Sequence, residues 1–274
     1  MIHSVKSTTQ DRLLRTDTYQ KLAQPKLEVC DLNKSFNHQR QLLTVLQNIN
    51  FQLYESEFVC VVGASGCGKS TLINIIAGLM QPTSGKIKVD GEVVLGPGPD
   101  RGMVFQNYTL YPWLTVAGNI GFGSRLQSLG AKQRQERIAY FLDVVGLTSF
   151  AKAYPKQLSG GMKQRVAIAR ALANEPDVLL MDEPFGALDA QTKEQMQQFL
   201  RDLWQQTHTT IWMITHDVEE AVFLSQRVFV MSANPGEIQR EIAVDLPEDR
   251  DVEIKLTSEF TAIKREVMHC LRNC

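Results

Sequence analysis

A glycine-rich turn that ends in lysine and serine is the first group of residues with a clear chemical use. It reads GASGCGKS, from Gly63 to Ser70, and fits the spacing G-x-x-x-x-G-K-[ST]. Glycines at this spacing let successive backbone N–H groups turn inward and surround phosphate oxygens. Lys69 would reach the β- and γ-phosphates of a nucleotide, and Ser70 would place its hydroxyl on Mg²⁺. Phe58–Val62, directly before the turn, is an apolar run that predicts the buried strand this pattern needs.

Two adjacent acids follow a second predicted strand, in the segment VLLMDEP from Val178 to Pro184. Ligands of open parallel sheets lie outside the carboxyl ends of the strands, where these acids would stand. Asp182 would hold Mg²⁺, and Glu183 would polarise an attacking water. Adjacent acids at a buried strand end are costly unless a cation or a reaction uses them. The alternative is a surface pair of acids with no role.

A second glycine turn lies in LSGGMKQR, from Leu158 to Arg165. Ser159, Gly160 and Gly161 would stand at the N-terminus of a helix, where N–H groups and the helix dipole favour an anion. The chain already has one phosphate-binding turn, so a second one implies a different geometry. Taken alone, a serine N-cap followed by a glycine turn is an equally good interpretation.

With Gln106, Asp189 and His216 added in order, the chain resembles the ATP-binding-cassette (ABC) ATPases. In that family the signature turn of one subunit covers the γ-phosphate held by another subunit, so the resemblance implies a second cassette, identical or related. It assigns Gln106 to Mg²⁺ and the attacking water, Asp189 to the subunit contact, and His216 to the γ-phosphate. Phe36 is the candidate for stacking on adenine, although an aromatic residue that ends a strand is as often part of the core.

The resemblance implies ATP and Mg²⁺ as cofactors. The predicted catalytic residues are Lys69, Gln106, Glu183 and His216, and the predicted metal ligands are Ser70, Gln106 and Asp182. The predicted nucleotide contacts are Phe36, Gly63, Ala64, Ser65, Gly66, Cys67, Gly68, Lys69, Ser70, Thr71, Ser159, Gly160, Gly161 and Asp189.

Two positions inside these motifs leave alternatives open. Cys67 is either a tolerated filler of the phosphate turn or an exposed thiol whose alkylation would block nucleotide entry. Met162 stands where many family members carry glutamine. Because backbone N–H groups and Ser159 would bind the anion, we expect activity to survive this departure, whereas a polar contact from position 162 to the nucleotide is in doubt.

The elements that must hold these residues alternate between short apolar strands and amphipathic helices, which predicts a largely parallel sheet covered on both faces. The resemblance makes the fold class α/β: a P-loop NTPase core of the ABC type, with an antiparallel β subdomain and an inserted α-helical subdomain. We expect a flexible N-terminal tail over residues 1–24, an ATP-binding domain over 25–250 with its helical subdomain at about 107–172, and a helical extension over 251–274. Strands are predicted at Leu27–Cys30, Ile49–Leu53 and Thr210–Thr215, and helices at Lys69–Leu79 and around residues 138–145, 196–204 and 260–271.

Composition excludes several other classes of protein. The net charge is −1, so no overall field favours nucleic acid. No apolar run approaches the 18 or so residues of a membrane span, and no signal peptide is recognisable. The five cysteines match no metal-site spacing, which indicates a reducing cytoplasm without a disulfide framework.

The amino-acid sequences of the motifs resemble those in the ATPase subunits of importers for nitrate, taurine or other sulfonates, and bicarbonate. This implies a separate membrane permease, an indirect link to a periplasmic or lipid-anchored substrate-binding protein, and a peripheral location on the cytoplasmic face of the inner membrane. The aromatic segment NYTLYPWLTV, from Asn107 to Val116, would face the permease, or alternatively pack within the insert. A soluble ABC-type ATPase and an exporter subunit remain the competing functions, and the sequence does not select the anion.

Overall fold

The computed structural model describes residues 24–38, 41–127 and 129–273. The predicted flexible tail lies, except for Gln24, outside the described residues. Among the described helices none is long and apolar enough to cross a bilayer. Two sheets and the helices between and around them form the fold.

The larger sheet has six strands in the order β10-β9-β3-β8-β7-β6, all parallel except for β10, which runs antiparallel to β9. Every residue of β3, β8 and β9 is buried, as expected for parallel strands covered on both faces. Because the parallel strands share one direction, the residues that follow them gather at one edge. The strands are β3 (Phe58–Gly63), β6 (Arg101–Val104), β7 (Val178–Asp182), β8 (Thr210–Ile214), β9 (Arg227–Met231) and β10 (Ile238–Ala243).

The smaller sheet is antiparallel, in the order β2-β1-β4-β5. Its strands are β1 (Leu27–His38), β2 (Gln41–Leu53), β4 (Ser84–Val89) and β5 (Glu92–Val93). Its apolar face and one face of the larger sheet enclose helix α1 (Lys69–Ile76), whose Leu72, Ile73 and Ile76 are fully buried. This sheet confirms the antiparallel β subdomain of the expected fold class.

Helices cover the other face of the larger sheet and form the insert between β6 and β7. The insert begins with α2 (Val116–Ile120), α3 (Phe122–Leu126) and α4 (Ala131–Val144), and α5 (Gly160–Leu172) leads back to the sheet. The core on this face is completed by α6 (Ala190–Thr207), α7 (Val218–Leu224) and α8 (Ser258–Arg272).

Several elements depart from the sequence-based expectation. Helix α1 ends at Ile76 rather than Leu79, since Gly78 adopts φ 75° just after it. Both β1 and β2 are longer than predicted, because their outer halves pair with each other across the hairpin. Strands β6, β9 and β10 and helix α7 were not predicted. Each has at most seven residues, and β10 is defined by its antiparallel pairing with β9.

Candidate active site

Three neighbouring strands deliver their last residues to one cavity of about 400 Å³. Strand β3 leads into the glycine turn, β7 ends at Asp182 beside Glu183, and β8 ends one residue before Thr215, which precedes His216. The cavity is lined by Val45, Ser65, Gly66, Gly68, Lys69, Ser70, Thr71, Glu183 and His216. Residues far apart in the chain therefore meet because parallel strands end on the same side.

The glycine turn Gly63–Ser70, here called the phosphate turn, leaves the first N–H groups of α1 without a side-chain cap. Gly68 stands at the N-cap of α1 with φ 99°, a conformation that favours glycine, and no side chain bonds there. The first turn of α1 carries no acid. The first N–H groups of a helix have no intrahelical acceptor, so this end of α1 is suited to bind an anion.

Lys69 is buried, and its side chain folds back against the start of the phosphate turn. Its ammonium donates to the carbonyl oxygens of Gly63, at 2.7 Å, and Ala64, at 3.0 Å. The thiol of Cys67 lies 3.7 Å from the same nitrogen and is only 1% exposed. The alternative of an exposed, readily alkylated Cys67 is therefore wrong, because the thiol packs inward against the turn.

Glu183 lines the same cavity as the phosphate turn. Its Oε2 lies 3.4 Å from Nε2 of Gln106 and 3.2 Å from Nδ1 of His216. The backbone of Glu183 has φ 44°, a region that non-glycine residues rarely adopt, and its N–H donates to the carbonyl of Ile214 at 3.0 Å. Strain of this kind at a strand end, held by a neighbouring strand, is typical of functional sites.

Asp182 supplies a second, half-buried carboxylate beside Glu183. Burial raises its pKa above the ordinary value, the charge of Glu183 raises it further, and Lys69 opposes both. Lys69 offsets the negative charge of these two adjacent carboxylates only in part, so a bound cation would stabilise them. Together with the exposed hydroxyl of Ser70 and the amide oxygen of Gln106, Asp182 offers hard oxygen atoms, which Mg²⁺ prefers. The residues present therefore fit the expected metal.

The second glycine turn lies apart from this cavity. Ser159 caps α5, with its Oγ accepting from the Met162 N–H at 3.3 Å. Gly161 packs so closely on α6 that an added Cβ would lie 2.9 Å from Cγ2 of Thr192. Among the described residues that line the cavity, none comes from Ser159–Gly161.

Asp189 also lies outside the cavity lining formed by the described part of the chain. It caps α6, and its Oδ1 accepts from the Thr192 N–H at 3.0 Å. Hydrogen bonding from Thr192, first from its side chain and then from its backbone N–H, holds the pKa of Asp189 below its ordinary range. Asp189 and the second glycine turn are neighbours through α6, since Thr192 contacts both.

Phe36 lies near the end of β1, 36% exposed, with the Lys34 ammonium 4.9 Å above its ring. It does not line the cavity in the described structure, whereas Val45 of the neighbouring strand β2 does. The carbonyl of Val45 accepts from the Gly236 N–H at 2.9 Å, so the loop before β10 supports this wall. An aliphatic residue in a strand carries no local signal, and the sequence analysis therefore missed Val45. The stacking role of Phe36 stays a prediction.

Comparisons with known proteins agree on one family. A family model described as ABC transporter matches residues 46–186. The nitrate import ATP-binding protein of Synechocystis sp. is 57% identical over 252 residues, which cover 90% of this chain and 95% of that protein. An aliphatic sulfonates import ATP-binding protein of Bacillus cereus is 46% identical over 237 residues, covering 86% and 92%. A solved dimeric structure of a post-hydrolysis state of an ATP-binding cassette, bound to ADP and Pi, matches with a TM-score of 0.70 at 34% identity, covering 81% of this chain and 100% of that one.

Proposed function

The chain belongs to the ABC transporter family as an importer-type ATPase subunit, and we propose that it powers uptake of a small anion: nitrate or nitrite, taurine or an alkanesulfonate, or bicarbonate. The observation that carries the ATPase chemistry is the Glu183 carboxylate, bonded by Gln106 and His216 across one cavity from the phosphate turn. The anion class is supported by the nitrate and sulfonate importers among its relatives.

Within the site, each residue has a task that follows from its position. The N–H groups at the start of α1 and the ammonium of Lys69 bind the phosphates, exchanging the loop carbonyls that Lys69 now contacts for phosphate oxygens. Ser70, Gln106 and Asp182 would hold Mg²⁺, which supplies neutralisation of phosphate charge. Lys69 and the first N–H groups of α1 therefore act by positioning and by charge rather than by covalent chemistry.

Glu183 would orient the attacking water and accept its proton as the water oxygen bonds to the γ-phosphorus, while the bond from that phosphorus to the bridging oxygen breaks and ADP leaves. Gln106 and His216 both contact Oε2, and none of the described residues bonds Oε1, so Oε1 is the oxygen free to take the proton. His216 is 62% exposed by its side chain, which lets its ring face a γ-phosphate at the mouth of the cavity.

The second glycine turn acts on another subunit's nucleotide. Its Ser159 is exposed at the N-terminus of α5, an end that favours anions, while the cavity of its own chain is formed without it. Two cassettes, identical or related, would close head to tail, so that Ser159–Gly161 of one covers the phosphates held by Lys69 of the other. The dimeric cassette with ADP and Pi supports this arrangement.

The permease would contact the aromatic segment after Gln106. Tyr111 packs inside the insert, with its ring 4.4 Å from that of Phe122, whereas the ring of Trp113 lies tilted against that of Tyr111 and is 70% exposed. The two interpretations of this segment therefore apply to different residues: Tyr111 packs and Trp113 is the interface anchor. In this proposal the ATPase lies on the cytoplasmic face of the membrane, and a substrate-binding protein is linked to it only through the permease.

The variant Glu183→Gln tests the site. The amide keeps the shape of the carboxylate but accepts no proton, so we expect ATP binding to persist while turnover falls by on the order of 10²-fold or more. Size-exclusion chromatography with ATP should show a trapped dimer. Glu136→Gln, on the exposed surface of α4, is the matched control and should turn over ATP normally. Unchanged turnover in Glu183→Gln would remove Glu183 from its role.

Affinity capture of the tagged chain from gently solubilised membranes tests the transport function. We expect a polytopic permease to co-purify, and less of it to be recovered with Trp113→Ala, which removes the exposed anchor. Uptake assays on the captured complex would then identify the anion. Recovery of a homodimer without any membrane partner would instead favour the alternative, an ABC-type ATPase outside transport. A permease that carries its substrate outward would favour an exporter.

A further inference from the structure

One lysine joins the turn that carries Asp189 to the turn that carries His216. The Nζ of Lys193, on the first turn of α6, lies 2.7 Å from Oδ2 of Asp217 and 3.2 Å from Oε2 of Glu220. Asp217 directly follows His216, and Lys193 follows Asp189 by four residues. Neither the motifs nor the proposed chemistry uses this lysine.

On the side of α6, Lys193 is fixed to the Asp189 turn through the backbone. The N–H of Lys193 donates to the carbonyl of Asp189 at 2.8 Å, while the Asp189 carboxylate caps the same helix at Thr192. A displacement of the Asp189 turn therefore moves the base of the Lys193 side chain with it. Asp189 is exposed, in the position where the partner cassette would approach.

On the side of α7, Asp217 is fixed by both of its oxygens. Oδ1 accepts from the N–H groups of Glu219, at 2.9 Å, and Glu220, at 3.2 Å, and so caps α7, while Oδ2 accepts from Lys193. The N–H of Asp217 donates to Oγ1 of Thr215 at 3.0 Å. His216 therefore stands between two residues whose positions are set, and Lys193 joins the Asp217 carboxylate directly to α6.

The charges around Lys193 make the contact hard to replace. Burial alone would raise the pKa of Asp217, but Lys193 and the backbone N–H groups outweigh it and hold that pKa below its ordinary range. Glu220 is 2% exposed, and Nε2 of Gln197 donates to its Oε2 at 3.2 Å. Without the ammonium, two partly or fully buried carboxylates would face each other, which is strongly unfavourable.

We propose that Lys193 is a positioning residue for hydrolysis, holding His216 against Glu183 through Asp217 and transmitting to His216 any movement of the Asp189 turn. This inference rests on the proposed role of His216. It predicts that the state of the subunit contact at Asp189 and the geometry of the 3.2 Å contact between His216 and Glu183 change together. A merely structural Lys193 would support α6 and α7 without any link to the reacting groups.

The test is the ATPase of the full chain with Lys193→Met, Lys193→Arg and Asp217→Asn. Methionine keeps the length without the charge, and we expect kcat to fall about 10-fold while KM for ATP changes by less than about 3-fold. Arginine should restore most of kcat, since it can still reach both carboxylates. Asp217→Asn keeps a good helix cap but loses the ionic partner, and it should lower kcat like Lys193→Met, with no further loss in the double variant.

Lys264→Met is the matched control. Lys264 makes an equally short ion pair with the same helix, 2.6 Å from Oε2 of Glu219, but does not touch Asp217. Its kcat should stay within about 2-fold of the parent. Thermal unfolding of every variant checks that it is folded at the assay temperature; if Lys193→Met does not fold, the Asp217→Asn result decides. Equal losses in Lys193→Met and Lys264→Met would overturn the inference.

Combining Lys193→Met with His216→Ala separates positioning from support. If Lys193 acts through His216, the double variant has the kcat of His216→Ala within about 2-fold. If the two losses multiply, Lys193 acts elsewhere and the inference fails. The proposed function fails separately, and visibly, if His216→Ala alone keeps the parent rate.

Discussion

The two glycine turns of this chain are built alike and end up in opposite situations. Each leads into a helix, α1 or α5, whose first N–H groups favour an anion. The turn at Gly63–Ser70 follows a central strand and faces Glu183 and His216 across a cavity. At the turn Ser159–Gly161, Ser159 caps α5 and Gly161 packs on α6. In the described part of the chain, this turn does not line the cavity.

Anion-binding geometry at a helix end is therefore a local property of the chain, whereas a reaction site is not. A turn becomes reactive only where the sheet brings acids, an amide and a histidine to it. The first turn receives them within its own chain. The second turn has only the anion-binding half, and in the proposed function it acts on a nucleotide that another chain presents.

Lys69→Ala should lower ATPase activity more than any other change, because it removes the cation from the phosphate turn that faces Glu183 and His216. We expect ATPase activity to fall by on the order of 10³-fold and nucleotide binding to weaken strongly. Lys132→Ala, which alters a lysine whose side chain is 90% exposed on α4, is the control and should be unaffected. Near-normal activity in Lys69→Ala would refute the assignment of the phosphate turn. Fluorescent-nucleotide binding and phosphate release are the measurements.

Ser159→Asp tests the second turn without disturbing the helix it caps. Aspartate caps a helix as well as serine does, but its charge would repel the phosphates of a partner's nucleotide. We expect activity to fall on the order of 10²-fold, and the neutral capping variant Ser159→Asn to lose about 10-fold less. Equal activity of the two variants would argue against an anion at this turn.

A mixture of the Lys69→Ala and Ser159→Asp proteins tests whether the two turns belong to one site shared by two subunits. In a head-to-tail dimer of one Lys69→Ala and one Ser159→Asp subunit, both changes fall in one site and the other site is intact. Activity should therefore reappear in the mixture, to about a quarter of the parent at equal amounts if dimers form at random and sites act independently. No recovery would contradict shared sites between identical chains.

Asp182→Asn tests how the raised pKa of Asp182, in the site of the first turn, affects the stability of the fold. The pKa of Asp182 is raised in the folded protein, chiefly by burial, so its charged form destabilises the nucleotide-free fold, and the cost is relieved as pH falls through the raised pKa. We expect Asp182→Asn to unfold at higher urea than the parent at about pH 7, with the gap closing towards about pH 4. A gap that widens as the pH falls would contradict this sign.

Met162→Gln should give the smallest effect. The backbone N–H of residue 162, not its side chain, bonds to Ser159, and the Met162 side chain packs against the core of the insert. We expect ATPase activity to change by less than about 3-fold. A larger gain would show that glutamine at this position contacts nucleotide directly.

Sequence reasoning succeeded where a residue's role is set by its neighbours in the chain. It predicted β3, β7 and β8 from apolar runs and a largely parallel sheet from the alternation of strands and helices, whereas the antiparallel subdomain was implied by the resemblance to the ABC ATPases. It missed β9 and β10, whose identity comes from pairing, and it missed Val45, which reaches the cavity only because β2 folds over α1. It also left the exposure of Cys67 open, since only packing decides it.

The chemistry of the site follows from the amino-acid sequence alone, because the spacing of the glycines, lysine, serine and acids provides N–H groups, charge and oxygen atoms at helix and strand ends. Local spacing is enough for this, because a turn and the helix after it are contiguous. Only the tertiary structure decided which turn meets Glu183 and His216, that Glu183 is held between Gln106 and His216, and that Lys193 joins α6 to α7. Those relations depend on strand order and helix packing, which bring together residues that no local pattern connects.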